Sequence, residues 1–510
     1  MSPGPEPPPD TGSPGSSQPS GLPLPAGMAL ALDPAARRID GGTVLVGGTP
    51  LRLLRLTATG ARLVNGFAAS EPVPASGAAQ RLARRLLDAG LAHPRLAATA
   101  PPCTPRQVAA VVPAHDRPGG LARTLDRLGD VGEVVVVDDG SADAAATGTV
   151  AARAGARLVR HDRAQGPAAA RNAGWRAVDA PVVAFVDADV EPEPGWLDPL
   201  LAHLADAAVA AVAPRVAPLD VPGTPRWLAA YEAVRSPLDL GPDEAIVRPG
   251  SRVAYVPTTA LVVRRSALAE VGGFDEAMLY GEDVDLVWRL ARAGATVRYE
   301  PASEVRHPVR RTLGAWLRQR YAYGSSAAPL ALRHAGAVAP LTVSGWSAAA
   351  WGLVAAGAPA AGATLGAATT AALVPKLRHL RHPVRESLRL AGLGNLYAGR
   401  QVADALRRAW FPLAVPLALR RRSRPALVAA LVVPALIEQV ERRPRLDPLR
   451  WAALRLADDL AYGVGLWSGS LRARTTAALR PAFSGRFPPP DDGDGPAGPE
   501  ATPLPSPPRA

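Results

Sequence analysis

The 510-residue chain has a single cysteine, Cys103, which excludes a disulfide framework and a cysteine-based metal site and suits a reducing compartment. It has a single lysine, Lys376, beside abundant arginine, a bias that reads as coding preference more than chemistry. Aromatic residues are only 5% of the chain and do not interleave with the basic stretches, so the net charge of +12 does not point to nucleic acid. A signal peptide is also missing: residues 1–27 are rich in Pro, Gly and Ser, with neither a basic start nor an apolar core, and are expected to be disordered. Met28 opens the first apolar rhythm, and translation is expected to be able to begin there. The tail 487–510 is Pro-rich, mildly acidic and not expected to fold.

What is present is ample apolar content, 48%, in a chain long enough for more than one domain. Residues 28–100 read as a small α+β module: TVLVGGTPLRLLRL, 43–56, alternates about a Gly-Gly turn as a hairpin does, and Thr57 then caps a helical stretch. Over 106–324, the strand-like runs QVAAVVP, EVVVV, ARLVR, PVVAFVD and AVAAVAP alternate with helical patterns, which predicts an α/β fold with a largely parallel sheet. Residues 325–480 read as helical and membrane-associated. Within them 335–375 carry no charged side chain, enough length for two spans of about 20 residues about Gly357 and Pro359. The adjoining 376–424 hold twelve Lys or Arg against Glu386 and Asp404, as expected beside an anionic membrane surface at the cytoplasmic face.

Acidic residues cluster where strands end. VVVV, 134–137, runs into Asp138 and Asp139, and VVAFV, 182–186, into Asp187 and Asp189. Asp187 and Asp189 share one side of an extended segment, and two hard oxygen donors there suit Mg²⁺ or Mn²⁺ holding a diphosphate. DDGS alone is also an ordinary turn and cap. A third group, Glu282, Asp283 and Asp285, opens the helix GEDVDLVWRL. Asp285 is expected in a surface pair with Arg289 and Glu282 at the exposed helix mouth, whereas Asp283 falls on the apolar stripe of Val287 and Leu290, where a carboxylate needs a specific reason.

The segments VVPAHDR (111–117), VVVVDDGSAD (134–143), GPAAARNAG (166–174), FVDADV (185–190) and GGFDEAMLYGEDVDLVWRL (272–290) together resemble family 2 glycosyltransferases. That resemblance implies a GT-A, Rossmann-like fold and a nucleotide-sugar donor. By position it implies that Pro113, Ala114, His115, Asp138 and Asp139 hold base and ribose, that Arg171 lies near the nucleotide, and that Asp187 sits on ribose or metal. It further implies that Asp189, Asp187 and His307 bind a divalent metal, that Asp283 is the general base of an inverting displacement, and that Glu282 orients the acceptor or Asp283. WLRQRYAYG, 316–324, lacks the Gln-x-x-Arg-Trp spacing of processive members.

With the module before it, which looks like a peptide-binding winged-helix domain, and ADDLAYGVGLWSGSL (457–471) after it, the chain is similar to mycofactocin biosynthesis glycosyltransferases. This implies UDP-glucose as donor, a peptide-derived redox cofactor precursor as acceptor, and β-linked products. Two other readings are a membrane-associated transferase acting on a lipid or cell-wall glycan, and a peptide-binding scaffold with a vestigial transferase domain. An acid kept on an apolar helix face argues against the scaffold.

Overall fold

The computed structural model describes residues 22–96 and 99–484. The flanking segments 1–21 and 485–510, with the expected tail, lie outside the described residues. Residues 22–27 do not stand apart from the module: the Leu24 side chain is in its core, and the Leu24 amide donates to Gln80 Oε1 at 3.0 Å.

The module pairs the hairpin Val44–Gly47 and Arg52–Arg55 with Arg37–Ile39, and places helices Ala58–Ala68 and Gly77–Asp88 on Ala29–Leu32 and Ala92–Arg95. Thr57 and Ser76 cap the two helices, each hydroxyl oxygen accepting an amide three residues on. Leu30, Leu45, Phe67 and Leu86 fill its interior. It is fixed to the neighbouring domain by Arg84, which donates both guanidinium nitrogens to the two Asp206 oxygens at 2.8 and 2.9 Å in a buried fork.

The central sheet comprises β1 (Val108–Ala114), β2 (Glu133–Asp139), β3 (Arg157–His161), β4 (Val182–Val186), β5 (Glu191–Pro192), β6 (Val209–Leu219), β7 (Ala245–Val247), β8 (Ala260–Arg264) and β9 (Thr296–Pro308). Its order is β5-β9-β6-β8-β4-β1-β2-β3, with β7 also on β9. β4, β1, β2 and β3 are parallel, and so are β6 and β9; β8 runs antiparallel between β4 and β6, so the sheet is mixed. The expected largely parallel sheet needs this correction. A strand buried on both faces reads as a continuous apolar run whichever way it points, so ALVVR carries no sign of its direction. Helices α1 (Pro167–Arg176) and α2 (Glu282–Arg292) lie on this sheet.

The helical region joins the catalytic domain through α3 (Leu313–Ser325), and includes α4 (Ala414–Leu419), α5 (Arg424–Arg442) and α6 (Pro448–Arg472). α3 and α6 touch through glycines: a Cβ on Gly324 would lie 2.0 Å from the Tyr462 carbonyl oxygen, and one on Gly465 would lie 2.0 Å from that of Tyr321. Beside this seam the buried rings of Tyr231, Trp316 and Trp451 cluster, and Arg320 bridges Glu232 and Asp458. Asp458 also accepts from Tyr231 Oη at 2.8 Å.

No helix among the described residues is long and apolar enough to cross a membrane, so the two expected spans are not there. Residues 335–375 break at Gly357 into helices Gly345–Ala355 and Pro359–Leu373, preceded by a short strand. Eleven and fifteen residues reach about 16 and 22 Å, short of the roughly 30 Å of a hydrocarbon core.

Candidate active site

The carboxyl ends of β1, β2 and β4 and the start of α2 converge on one cleft. The turn after β2 is drawn tightly against the 163–166 loop. Gly140 has φ +70°, and a Cβ on it would come within 2.4 Å of the Ala164 nitrogen. Asp139 holds that loop: its carboxylate accepts the amides of Gln165 and Gly166 at 2.9 and 2.8 Å and contacts His161 Nδ1 at 2.8 Å. Asp138 has no exposed surface; it accepts the Ser141 amide at 2.9 Å and pairs with Arg160. The expectation that Asp138 helps hold base and ribose is therefore corrected, because its oxygens already satisfy an arginine and an amide inside the turn. His115 Nδ1 lies 2.8 Å from the Asp139 carbonyl oxygen, and Pro113 and Ala114 carry β1 up to it in register with β2.

Arg171 of α1 is a strut. Buried, it donates to Asp187 at 2.7 Å and to Glu282 at 2.8 Å, joining the end of β4 to the start of α2. Burial opposes its charge, but Asp187 and Glu282 outweigh that and hold it protonated. Both ends of its fork are spent on carboxylates, so its part in the site is to hold Asp187 and Glu282 in place. Next to it, Asn172 accepts the Phe274 amide at 2.9 Å and donates to the Phe274 carbonyl at 2.8 Å, which ties the GGF segment to α1.

The three acids of α2 are sorted differently from the helical-stripe reading. Asp285 is buried, accepting from Arg289 at 2.7 Å and paired with His334 Nε2 at 2.8 Å; these contacts overcome burial and hold its carboxyl below the ordinary range. Glu282 is buried on Arg171. Asp283, half-buried, keeps one oxygen on the Val284 amide at 2.8 Å and opens to the cleft. α2 is covered on nearly every side, so one apolar stripe could not separate core from surface. Burial, then the adjacent Glu282, push the Asp283 carboxyl up to about 7, against the pull of the Val284 amide and Arg171.

Across the cleft Asp189 pairs with Arg117 and lies 3.6 Å from His307 Nε2. Burial keeps His307 below its ordinary value, opposed by Asp189, so the neutral ring offers a lone pair. Asp189 and His307 fit a hard divalent ion that takes its other ligands from phosphate and water, as Mg²⁺ and Mn²⁺ do. Arg171 takes one oxygen of Asp187 and leaves the other, and no group of three or more metal-ligating side chains forms among the described residues. Of the expected trio, Asp189 and His307 stand together, and Asp187 is held by Arg171 at the end of β4.

Residues unremarked in the sequence finish the cleft. Tyr255 and Tyr323 lie beside Asp283; burial, with Asp283 near, raises the Tyr255 hydroxyl well above its usual range and the Tyr323 hydroxyl to about 12. Tyr462 of α6 stands close to Tyr255, with the Arg408 guanidinium 4.1 Å from its ring centre. The YAYG and AYGVG segments, where tyrosines alternate with the contact glycines, were the available signal. A separate cavity of about 540 Å³ at the far end of α2, lined by Asp88, Arg248, Arg292 and His334, does not touch the carboxylates.

The family model for glycosyl transferase family 2 matches residues 109–272, the segment carrying most of these groups. Two Mycobacterium tuberculosis proteins, from strains CDC 1551 and H37Rv, are each named pre-mycofactocin glycosyltransferase. Each is 42% identical to this chain over 474 residues, covering 90% of this chain and 98% of its own length. The chain belongs to the pre-mycofactocin glycosyltransferase family. It is a family 2 glycosyltransferase of mycofactocin biosynthesis. A human protein named probable polypeptide N-acetylgalactosaminyltransferase 8 is 32% identical over 168 residues, covering 30% of this chain and 25% of that protein. The solved mannosyltransferase PcManGT from Pyrobaculum calidifontis, in complex with GDP-Man and Mn²⁺, is 21% identical, with a TM-score of 0.36 over 58% of this chain and 89% of that one. So low a score carries no argument about the site.

Proposed function

We propose that this chain transfers glucose from UDP-glucose to a hydroxyl of a peptide-derived redox cofactor precursor, with inversion, giving a β-glucoside. The observation that carries this reading is Asp283: one half-buried carboxylate, raised toward neutrality, held near Asp187 at the end of β4, two residues before Asp189. An acceptor hydroxyl beside Asp283 gives it a proton as its oxygen bonds to the anomeric carbon. The bond from that carbon to the diphosphate oxygen breaks on the opposite side, and UDP departs. A single base facing a single leaving group makes one displacement, hence inversion. Asp189 and His307 would hold a Mg²⁺ or Mn²⁺ ion, which supplies charge neutralisation for the diphosphate when bound. Asp139, through the 161–166 loop, and His115 form the nucleotide side. Arg171 fixes Glu282, and through it the turn carrying Asp283. Tyr255, Tyr323 and Tyr462 form the acceptor side.

The test is transfer of labelled glucose from UDP-glucose to the precursor by wild type and by Asp283→Asn, with UDP binding measured in parallel. Transfer by wild type, with a variant that binds UDP but does not transfer, supports the reading. If the precursor remains unmodified while lipid extracts accept glucose, the lipid or cell-wall acceptor replaces it.

A further inference from the structure

We propose that the outer face of α5, continued by α4, is a membrane-docking surface that lies flat on an anionic lipid layer without crossing it. This goes beyond the catalytic reading and rests on separate residues. The inner side of α5 is fixed: Leu427 and Ala435 are buried, Glu438 accepts from Arg235, Arg442 and Arg455, and the Ala435 carbonyl accepts from Trp451 Nε1. The outer side is apolar instead of polar. Val428, Val432, Val433, Leu436, Ile437 and Val440 recur at helical spacing along it, and all are exposed, Val440 to 75% and Val428 to 59%. Water-facing helices ordinarily put charge there, and a continuous apolar stripe of this length marks a contact surface. On α4, which packs against α5, Val415 and Leu419 are exposed to 65% and 75%.

Basic residues flank both ends of the stripe and decide what covers it. Arg420, Arg421 and Arg422 precede α5, and Arg443 and Arg445 follow it; all are exposed, and none has an ion-pair partner among the described residues. A second copy related by two-fold symmetry would bring such clusters against one another with nothing to neutralise them. A layer of anionic head groups neutralises them while the stripe enters the acyl boundary, the arrangement of an interfacial amphipathic helix. The helix is long enough to lie on the surface and need not span it. Membrane contact therefore falls on α5, not on the uncharged 335–375 segment.

The experiment is flotation of the full chain with vesicles of phosphatidylcholine alone and of phosphatidylcholine with phosphatidylglycerol. Val433→Glu with Ile437→Glu, and separately Arg421→Glu with Arg422→Glu, serve as variants. Binding of UDP by every protein, measured without vesicles, verifies the fold. The wild type is expected to float with the anionic vesicles and not with the neutral ones. The apolar-face variant should bind at least about tenfold more weakly at all salt concentrations, and the arginine variant should lose the salt-sensitive part of binding. A wild type that stays in the aqueous fraction with both vesicles, or variants that float as it does, overturns the proposal. So does a purified wild type that dimerises in solution where the Val433→Glu, Ile437→Glu protein is monomeric, since a second copy then covers the face.

Discussion

Replacing Asp283 by Asn should sharply reduce transfer and make the folded protein more stable at alkaline pH. The Asp283 carboxyl has an ordinary value of 3.8 and is pushed up to about 7 in the fold. The folded state therefore holds this proton more tightly than the unfolded chain between those two values. Its favourable contribution is complete below pH 3.8 and is lost as pH rises through about 7, after which ionised Asp283 weakens the fold. The full separation corresponds to about 4 kcal/mol; because the side chain is only half-buried and solvent screens it, on the order of 1–2 kcal/mol is expected. Urea unfolding of wild type and Asp283→Asn at pH 5 and pH 8.5 measures it. The variant should gain stability at both, by more than twice as much at pH 8.5 as at pH 5, where the loss is only partly complete, while transfer falls about 10²- to 10⁴-fold, the usual contribution of a general base. In wild type, kcat/KM should rise with pH along a limb centred near 7, as the base form appears. Equal stability of the two proteins at pH 8.5, together with a pH profile flat across neutrality, would refute the account of Asp283 as a base tuned by burial and Glu282.

Arg171→Leu leaves Glu282 unpaired and buried and Asp187 unpaired and half-buried, and should cost about 3 kcal/mol in urea unfolding, whereas Asp187→Asn made in the same background should recover part of it. Gly324→Ala places a methyl 2.0 Å from the Tyr462 carbonyl oxygen, so α3 and α6 must separate; a loss of about 3 kcal/mol or more and a lowered melting temperature are expected. Chelator treatment, or His307→Ala, should weaken UDP-sugar binding, and chelation alone should leave the melting temperature of the donor-free protein within about 2 °C of its untreated value. Tyr462→Ala should raise KM for the acceptor more than KM for the donor, and Tyr462→Phe should restore most of the loss if the ring is what matters.

Much of the site was legible because its residues stand in local arrangements with few solutions. The aspartates following VVVV and VVAFV had to sit at strand ends, since a run of valines in a buried sheet can be left only at its edge, and the structure puts them there. What each carboxylate does was not legible, because it depends on partners distant in sequence. Asp138 is neutralised by Arg160 from β3, Asp187 by Arg171 from α1, and Asp285 by His334 from beyond α3. A helical stripe could rank the acids of α2 only by assuming one buried face, and α2 has no free one. The route to Asp283 was thus wrong in its burial argument: of the three acids, the one facing the cleft is the least buried. Direction in the sheet and the role of 335–375 failed for a related reason. Apolar content says that a segment avoids water, and it does not say whether strands, short helices or lipid take the water's place.

The helices after α3 belong to the catalytic unit. Arg320 is buried between Glu232 of the transferase domain and Asp458 of α6, and Trp316 donates to the same Glu232 at 2.8 Å. Cutting the chain after α3 removes Asp458, exposes Trp316 and the Gly324 seam, and leaves the Arg320–Glu232 pair without its third member. Tyr462 and Arg408, proposed to line the acceptor side, go with it. The same helices carry the apolar stripe of α5 on their opposite surface. One scaffold therefore connects the proposed acceptor side to the face proposed to rest on lipid, with Glu438 and Arg455 fastening α5 to α6 between them. Any force that lifts α5 acts on α6, and through the glycine contacts it acts on α3 and on Tyr323 beside Asp283.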